Sequence, residues 1–242
     1  MPLINKLVYP ASQFPAFQGS SGFAQPPRYP QLPRRRRLTH HPSTITRCMR
    51  QQYYEWTGEK GDEQPLPAKA IDAMGASSAM EGWVRERYTR QGIRTVPQVR
   101  VSDDSLPMSG SVDWTAEIDV GVERPVELKS LNCTGFKRNV RSLDDGYYYQ
   151  LQAYLHMGEW PWGIFHIFGK CDSLHHFWFV EADGEAWSTI VKRCETINKC
   201  VLTEISPARE EQPVFGADGR PTEESSWDCR ECSYYKSCAR DG

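Results

Sequence analysis

The segment 109–130, SGSVDWTAEIDVGVERPVELKS, limits the fold of this chain more than any other. Two apolar runs, 111–120 and 125–128, flank Gly121, a residue type that suits the turn of a hairpin. Each arm carries an acid, Asp113 on the first and Glu127 on the second. Lys129 follows Glu127 by two residues, and side chains two apart on a strand share a face. Val126 and Leu128 supply the apolar half of the alternation. If the arms pair, Asp113 joins Glu127 and Lys129. Two carboxylates and an ammonium on one sheet face are costly to desolvate unless they bind something. A divalent metal with a phosphate ester would satisfy all three. A Glu-x-Lys strand is also common as a solvated face. Gly110, three residues before Asp113, points to a close approach to the backbone there.

A chain of 242 residues holds one large domain or two small ones, and its 39% hydrophobic and 12% aromatic content supports a packed core. With 29 basic and 31 acidic residues the formal net charge is -2, so any nucleic-acid binding has to use a local patch. There is no run apolar enough to span a bilayer and no hydrophobic leader, so a soluble cytoplasmic protein without a membrane partner is expected. In that compartment the eight cysteines are not expected to form a disulfide framework.

Residues 1–40 are rich in proline and are expected to form a flexible arm, with 41–242 as one domain. The basic run Arg34 to Arg37 reads either as solvated tail or as a phosphate-binding arm. Ser43 or Thr44 can cap a helix beginning near Ile45, with Cys48 inside its first turns. A long helix is expected from Ala68 to about Gln91; Gly75 within it suggests close approach of a neighbour. Glu81 either pairs with Arg85 one turn on or adds a third acid to the site. Strands are expected at 95–101, 162–168 and 175–180. The stretch 131–145 reads as a basic loop carrying Lys137, Arg138 and Arg141, either solvated or in contact with a polyanion.

Residues 146–157 read as a helix with Gln150 and Tyr154 on one face, and Tyr147 to Tyr149 as core or stacking area. His175 and His176 read as turn or strand-face residues rather than ligands. Residues 184–203 form an amphipathic helix on which Cys194 and Cys200 read as core thiols, and 206–226 form a linker.

The tail, WDCRECSYYKSCAR, places Cys229, Cys232 and Cys238 within ten residues, a density that points to a metal. A redox C-x-x-C belongs early in an α/β unit, not here. Four thiolates are the usual complement for zinc or an iron–sulfur cluster. Cys48, set among arginines and tyrosines like the tail, is the first choice for the fourth, and Cys133 the second.

Taken together, these motifs resemble the RecB-like exonucleases of the PD-(D/E)XK superfamily. The likeness is greatest to the branch with an iron–sulfur cluster, which includes CRISPR-associated exonucleases of the Cas-four type and phage proteins. Gly110-x-x-Asp113 resembles the second motif of that family, Glu127-x-Lys129 the third, and Gln150-x-x-x-Tyr154 its helix motif. Cys48, in its Ser43, Arg50, Tyr53, Tyr54 setting, and the Cys229, Cys232, Cys238 triplet resemble the cluster ligands. The resemblance implies an α/β fold: a restriction-endonuclease-like mixed sheet of about five strands flanked by helices, with a C-terminal cluster segment. It implies a [4Fe–4S] cluster on the four cysteines, and Mg²⁺ or Mn²⁺ held by Asp113, Glu127, the Leu128 carbonyl and Glu81. It further implies DNA hydrolysis at single-stranded ends, with Lys129, Gln150 and Tyr154 assisting. Partners would be DNA and, in an alternative reading as a DNA-end-processing subunit, CRISPR integrase or recombination proteins. Many relatives carry a histidine after the glycine of the first helix; here Gly75 is followed by Ala76 through Met80 and then Glu81.

Overall fold

A computed structural model describes residues 7–9, 39–62, 68–216 and 220–241. Most of the arm expected at 1–40, including Arg34 to Arg37, lies outside them. Six strands form one sheet in the order β1-β6-β5-β4-β3-β2. They are β1 (Leu7–Tyr9), β2 (Thr95–Asp103), β3 (Met108–Asp119), β4 (Val122–Leu131), β5 (Trp162–Gly169) and β6 (His175–Glu181). The five-stranded body β2 to β6 is the mixed sheet expected from the sequence. The three-residue β1 is too short for its alternation to be read.

The expected hairpin forms as β3 and β4, with Gly121 at φ +73° in its turn, a conformation that disfavours residues with a Cβ. Neighbouring strands are antiparallel except β4 and β5, which run parallel. A parallel pair needs a crossover, and here it is α3 (Cys133–Arg141) followed by α4 (Asp145–Met157). The crossover covers one face of the sheet, packing Phe136, Leu151 and Leu155 on Phe165, Ile167, Trp178 and Val180. The long α2 (Ala68–Arg90) covers the other, packing Val84 and Tyr88 on Trp114, Val126, Leu128 and Phe168. β4 is therefore buried on both sides. Its apolar residues meet α2, and Glu127 and Lys129 are left facing α4.

Segment 131–145 is not the loop expected. Asn132 caps α3 by accepting from the Gly135 N–H at 2.8 Å, and Phe136 and Asn139 face inward while Lys137, Arg138 and Arg141 stay exposed. The basic residues conceal an inward stripe only two residues wide. The N-terminal segment also differs. A 3-10 turn, Pro42–Thr44, precedes α1 (Met49–Thr57), so Cys48 is its N-cap rather than an internal residue. α5 (Gly184–Thr203) has the expected bounds; its cap Asp183 accepts from the Glu185 and Ala186 N–H groups. Cys194 on it is fully buried, as expected of a core thiol, whereas Cys200 is half-buried against the tyrosines of α1.

Cys133 and Cys171 form a disulfide, with Cα atoms 5.6 Å apart, tying the start of α3 to the β5–β6 turn. This corrects the expectation of free thiols and removes Cys133 as a candidate ligand. The Lys170 N–H donates to the Leu131 carbonyl at 2.8 Å beside it, so the turn was already held there. A Cβ on Gly75 would meet nothing within 4 Å, so no close neighbour explains that glycine; a Cβ on Gly110 would lie 2.9 Å from both Pro42 and Tyr154. No described helix is long and apolar enough to cross a membrane. Two short helices, α6 (Trp227–Arg230) and α7 (Tyr235–Arg240), end the described chain.

Candidate active site

The β3–β4 ladder ends at the pair Trp114 and Val126. Beyond it β3 stays with β2 and β4 stays with β5, so the two strands part. Asp113 and Glu127 are the next residues on either side of the opening. Asp113 Oδ2 accepts the Leu128 N–H at 2.7 Å, so a carboxylate takes a backbone donor that the ladder no longer satisfies. Glu127 is 2% exposed. Its Oε1 accepts from Lys129 Nζ at 2.6 Å and from Gln150 Nε2 at 2.6 Å. Its Oε2 is buried, with no hydrogen-bond partner among the described residues. Lys129 Nζ also lies 5.5 Å from the centre of the Tyr147 ring.

Burial, with the nearby Glu127 charge, pushes the Asp113 carboxyl up to about 8. Burial raises Glu127 as well, against the opposing pull of Lys129 and Gln150. For Lys129, burial favours the neutral amine, but the Glu127 and Asp113 carboxylates outweigh it and hold the ammonium. Two acids thus face one cation, and a proton stays on Asp113 at neutral pH. A second cation entering the opening would displace it.

α4 supplies the upper wall. Asp144 caps it by accepting from the Gly146 N–H at 3.0 Å, and Gln150 and Tyr154 then fall on the buried face. Tyr154 is 1% exposed and touches the backbone at Gly110, which is why that position lacks a Cβ. Burial, with the Glu127 charge, raises its hydroxyl, so it remains a neutral phenol.

Of the expected ligands, Asp113 and Glu127 come together. Leu128 lies between them, with its N–H already given to Asp113. Glu81, on α2, acts electrostatically on both carboxyls but stands off from them. Its Oε1 accepts from Gln98 Nε2 at 2.9 Å, so Gln98, not Arg85, is its partner among the described residues. Gln98, on β2, continues the register to lie opposite Asp113, and it sits at φ +51°. Sequence reasoning missed Gln98, since its place follows from the pairing of β2 with β3. It also missed the contact of Tyr147 with Lys129, although Tyr147 was singled out as stacking area. Among the described residues, no three His, Cys, Asp or Glu side chains are close enough to share one metal ion.

His175 and His176 lie on β6, fully buried rather than in a turn. His175 Nδ1 is 2.8 Å from His166 Nε2, and His166 Nδ1 is 3.1 Å from the Tyr88 hydroxyl. Burial lowers both: His166 well below the ordinary histidine range and His175 to about 4. This neutral chain lies on the α2 face, across the sheet from Glu127.

Cys48, Cys229, Cys232 and Cys238 line one cavity of about 240 Å³. α1, the segment 209–215 and the α6–α7 tail enclose it, and Tyr53, Tyr54 and Tyr234 pack beneath. Tyr54 donates to Asp241 Oδ2 at 2.8 Å, closing the two chain ends on each other. The Tyr234 N–H donates to Cys232 Sγ at 3.4 Å, and Arg50 Nη1 to Cys238 Sγ at 3.7 Å. Burial pushes the Cys232 thiol up to about 11 and raises Cys48 and Cys229. The four thiols share one cavity and receive N–H donors, but as they stand no three of them are close enough to share a single metal ion.

No family model matches the chain, and no curated protein does. Solved structures that share its fold include the following two. An alkaline exonuclease from Laribacter hongkongensis superposes at a TM-score of 0.53 with 16% identity, over 69% of this chain and 89% of its own. A protein named SSO0001 superposes at 0.50 with 17% identity, over 86% of this chain and 89% of its own. At these identities the likeness is one of fold.

Proposed function

We propose that this chain is a divalent-cation-dependent nuclease that hydrolyses DNA phosphodiesters at single-stranded ends, and that its cysteine cavity holds a [4Fe–4S] cluster. One observation carries the first part. The buried Glu127 Oε2 has no partner, and it lies across a strand opening from an Asp113 carboxyl that holds a proton. An acid pair left short of one cation is what a divalent-ion site looks like before loading. The fold shared with an alkaline exonuclease agrees with this reading.

Asp113 and Glu127 would hold Mg²⁺ or Mn²⁺, with the Leu128 carbonyl; Glu81 would join on release from Gln98. Bound there, the ion supplies Lewis-acid stabilisation of a phosphoryl oxygen and a more acidic water. The rest of the work falls to side chains. Gln150 and Glu127 fix the Lys129 ammonium, which hydrogen-bonds the attacking water and meets charge as it develops on the phosphate. Tyr154 packs Gln150 in place. Tyr147 offers a ring for base stacking, and exposed Arg138 on α3 offers a phosphate contact. The cluster would be a clasp, joining Cys48 near the start of the domain to the tail.

The test is cleavage of end-labelled single-stranded DNA with Mn²⁺, with and without chelator. Wild-type cleavage should require the ion, and cleavage unchanged in Lys129→Ala would sink the site assignment. For the cavity, anaerobic purification should give a brown protein with iron and acid-labile sulfide. A colourless protein with stoichiometric zinc would overturn the cluster.

A further inference from the structure

Two cations at the cysteine cavity, Arg50 and Arg209, have no hydrogen-bonded carboxylate among the described residues. Arg50 is 6% exposed. Its Nε donates to the Pro207 carbonyl at 2.7 Å, and its Nη1 to the Cys238 carbonyl at 3.4 Å and the Cys238 Sγ at 3.7 Å. Arg209 Nη2 donates to the same Cys238 carbonyl, its Nε is buried without a partner, and its guanidinium lies 5.6 Å from the centre of the Phe215 ring. Among the described residues, neither arginine has a carboxylate within ion-pair range.

The nearby acids are engaged elsewhere. Glu210 pairs with Arg193 at 2.6 Å and accepts the Met49 N–H at 2.7 Å. Asp241 pairs with Arg240 at 3.0 Å and accepts from Tyr54 at 2.8 Å. Glu211 Oε2 takes the Cys229 thiol at 3.7 Å. Asp241 acts on Arg50 through space, but the hydrogen-bond acceptors of this buried guanidinium are two carbonyls and a thiol, with no directly bonded anion among the described residues, an arrangement proteins seldom retain. What both arginines share is Cys238, and beyond it the cavity lined by four thiols.

We propose that Arg50 and Arg209 are the counter-cations of an anionic, thiolate-ligated metal group in this cavity, Arg50 through an N–H···S bond to Cys238. The proposal rests on the reading of the cavity as a metal site and adds what balances its charge. Four thiolates carry more negative charge than the core of an iron–sulfur cluster carries positive, so the ligated group is an anion. Hydrogen bonds to ligand sulfur and nearby fixed charge set both its retention and its potential. Arg50 acts as a positioning residue. It is buried and unscreened, so it should dominate; the half-buried Arg209 should contribute less.

The experiment compares wild type, Arg50→Met, Arg50→Lys and Arg209→Met, all purified anaerobically. Iron retention against a competing chelator should fall about 10-fold in Arg50→Met. The midpoint potential should move negative, because reduction then adds an electron with no cation opposite. Arg50→Lys keeps the charge and should hold the potential near wild type. Arg209→Met should shift it the same way by less, and that variant carries the test if Arg50→Met does not fold. Equal potentials in wild type and Arg50→Met, or equal shifts in the Met and Lys variants, overturn the proposal and leave Arg50 a tether to Pro207. Wild type that holds zinc overturns the iron reading alone, and zinc release from Arg50→Met at the wild-type rate then overturns the proposal. Wild type without any metal overturns both.

Discussion

Asp113, Glu127 and Lys129 lie on one hairpin, and their positions are set by the pairing of adjacent strands. Cys48 and Cys229 to Cys238 come from opposite ends of the domain, and their meeting depends on α1, the 209–215 segment and the tail docking together. Within the carboxylate site nearly every polar atom is already held: Lys129 and Gln150 on one Glu127 oxygen, the Leu128 N–H on Asp113. Among the described residues, one buried carboxylate oxygen of the site, Glu127 Oε2, is left over. In the cysteine cavity each thiol has at most weak hydrogen bonds of the N–H···S or S–H···O kind, and neither Arg50 nor Arg209 has a hydrogen-bonded carboxylate among the described residues. A site built from a ladder is organised before its ion arrives. A site closed by chain ends depends on what it binds for much of its order.

The sharpest way to break this contrast is to remove a group from each side. Lys129→Met should cut DNA cleavage by about 10²- to 10⁴-fold, as expected for loss of a positioned group at the reacting centre. Far-UV circular dichroism should stay at wild type, because the sheet does not rely on that ammonium. Cys232→Ser should do the opposite. It should cost about 2.7 kcal/mol or more, what a ligand held at about 100 times its Kd supplies. Limited proteolysis should then cut the tail first and leave the β2–β6 body intact. A tail as resistant as wild type would erase the distinction.

Gly110→Ala tests how tightly the hairpin is held from the other side. Its methyl would sit 2.9 Å from Pro42 and Tyr154, and overpacking of this kind costs about 1–3 kcal/mol, read from the urea midpoint. The same methyl on Gly75 meets nothing and should not destabilise.

pH separates the two faces of the sheet. Asp113, held near 8 when folded, keeps a proton that the unfolded chain loses near 4, so with chelator present stability falls as pH rises from about 4 to 8. Asp113→Asn should flatten that fall. His175, lowered to about 4, refuses a proton that the unfolded chain accepts near 6.5, so stability falls as pH drops through that window. Below about pH 6.5 the two dependences oppose each other, so urea midpoints should fall most clearly between about pH 6.5 and 8, and His175→Phe should weaken the acid-side loss without abolishing it, because buried His166 refuses its proton too.

The alternation of 111–120 and 125–128 around Gly121 was readable because strand geometry fixes side-chain direction at every second residue. The same rule put Glu127 and Lys129 together, and the i, i+4 rule put Gln150 and Tyr154 on one face of α4. Gly110 also showed itself, since Pro42 and Tyr154 packed over it leave no room for a Cβ. The same reasoning failed at Gly75, where no contact demanded the glycine, and at α3, where three basic residues hid an inward stripe of Phe136 and Asn139.

The sequence by itself determined the β2–β6 strands, the long helices, the acid pair with its lysine and the spacing of the tail cysteines, because each is a local period or spacing imposed by backbone geometry; that Cys48 joins the tail was decided by docking. Tertiary structure alone decided the rest: the Cys133–Cys171 bond, Gln98 holding Glu81, the neutral His166–His175 chain, and two arginines converging on Cys238. Each of these joins residues brought together by the docking of separate elements. Each also turns on how much water that docking removes, and no spacing along the chain records that.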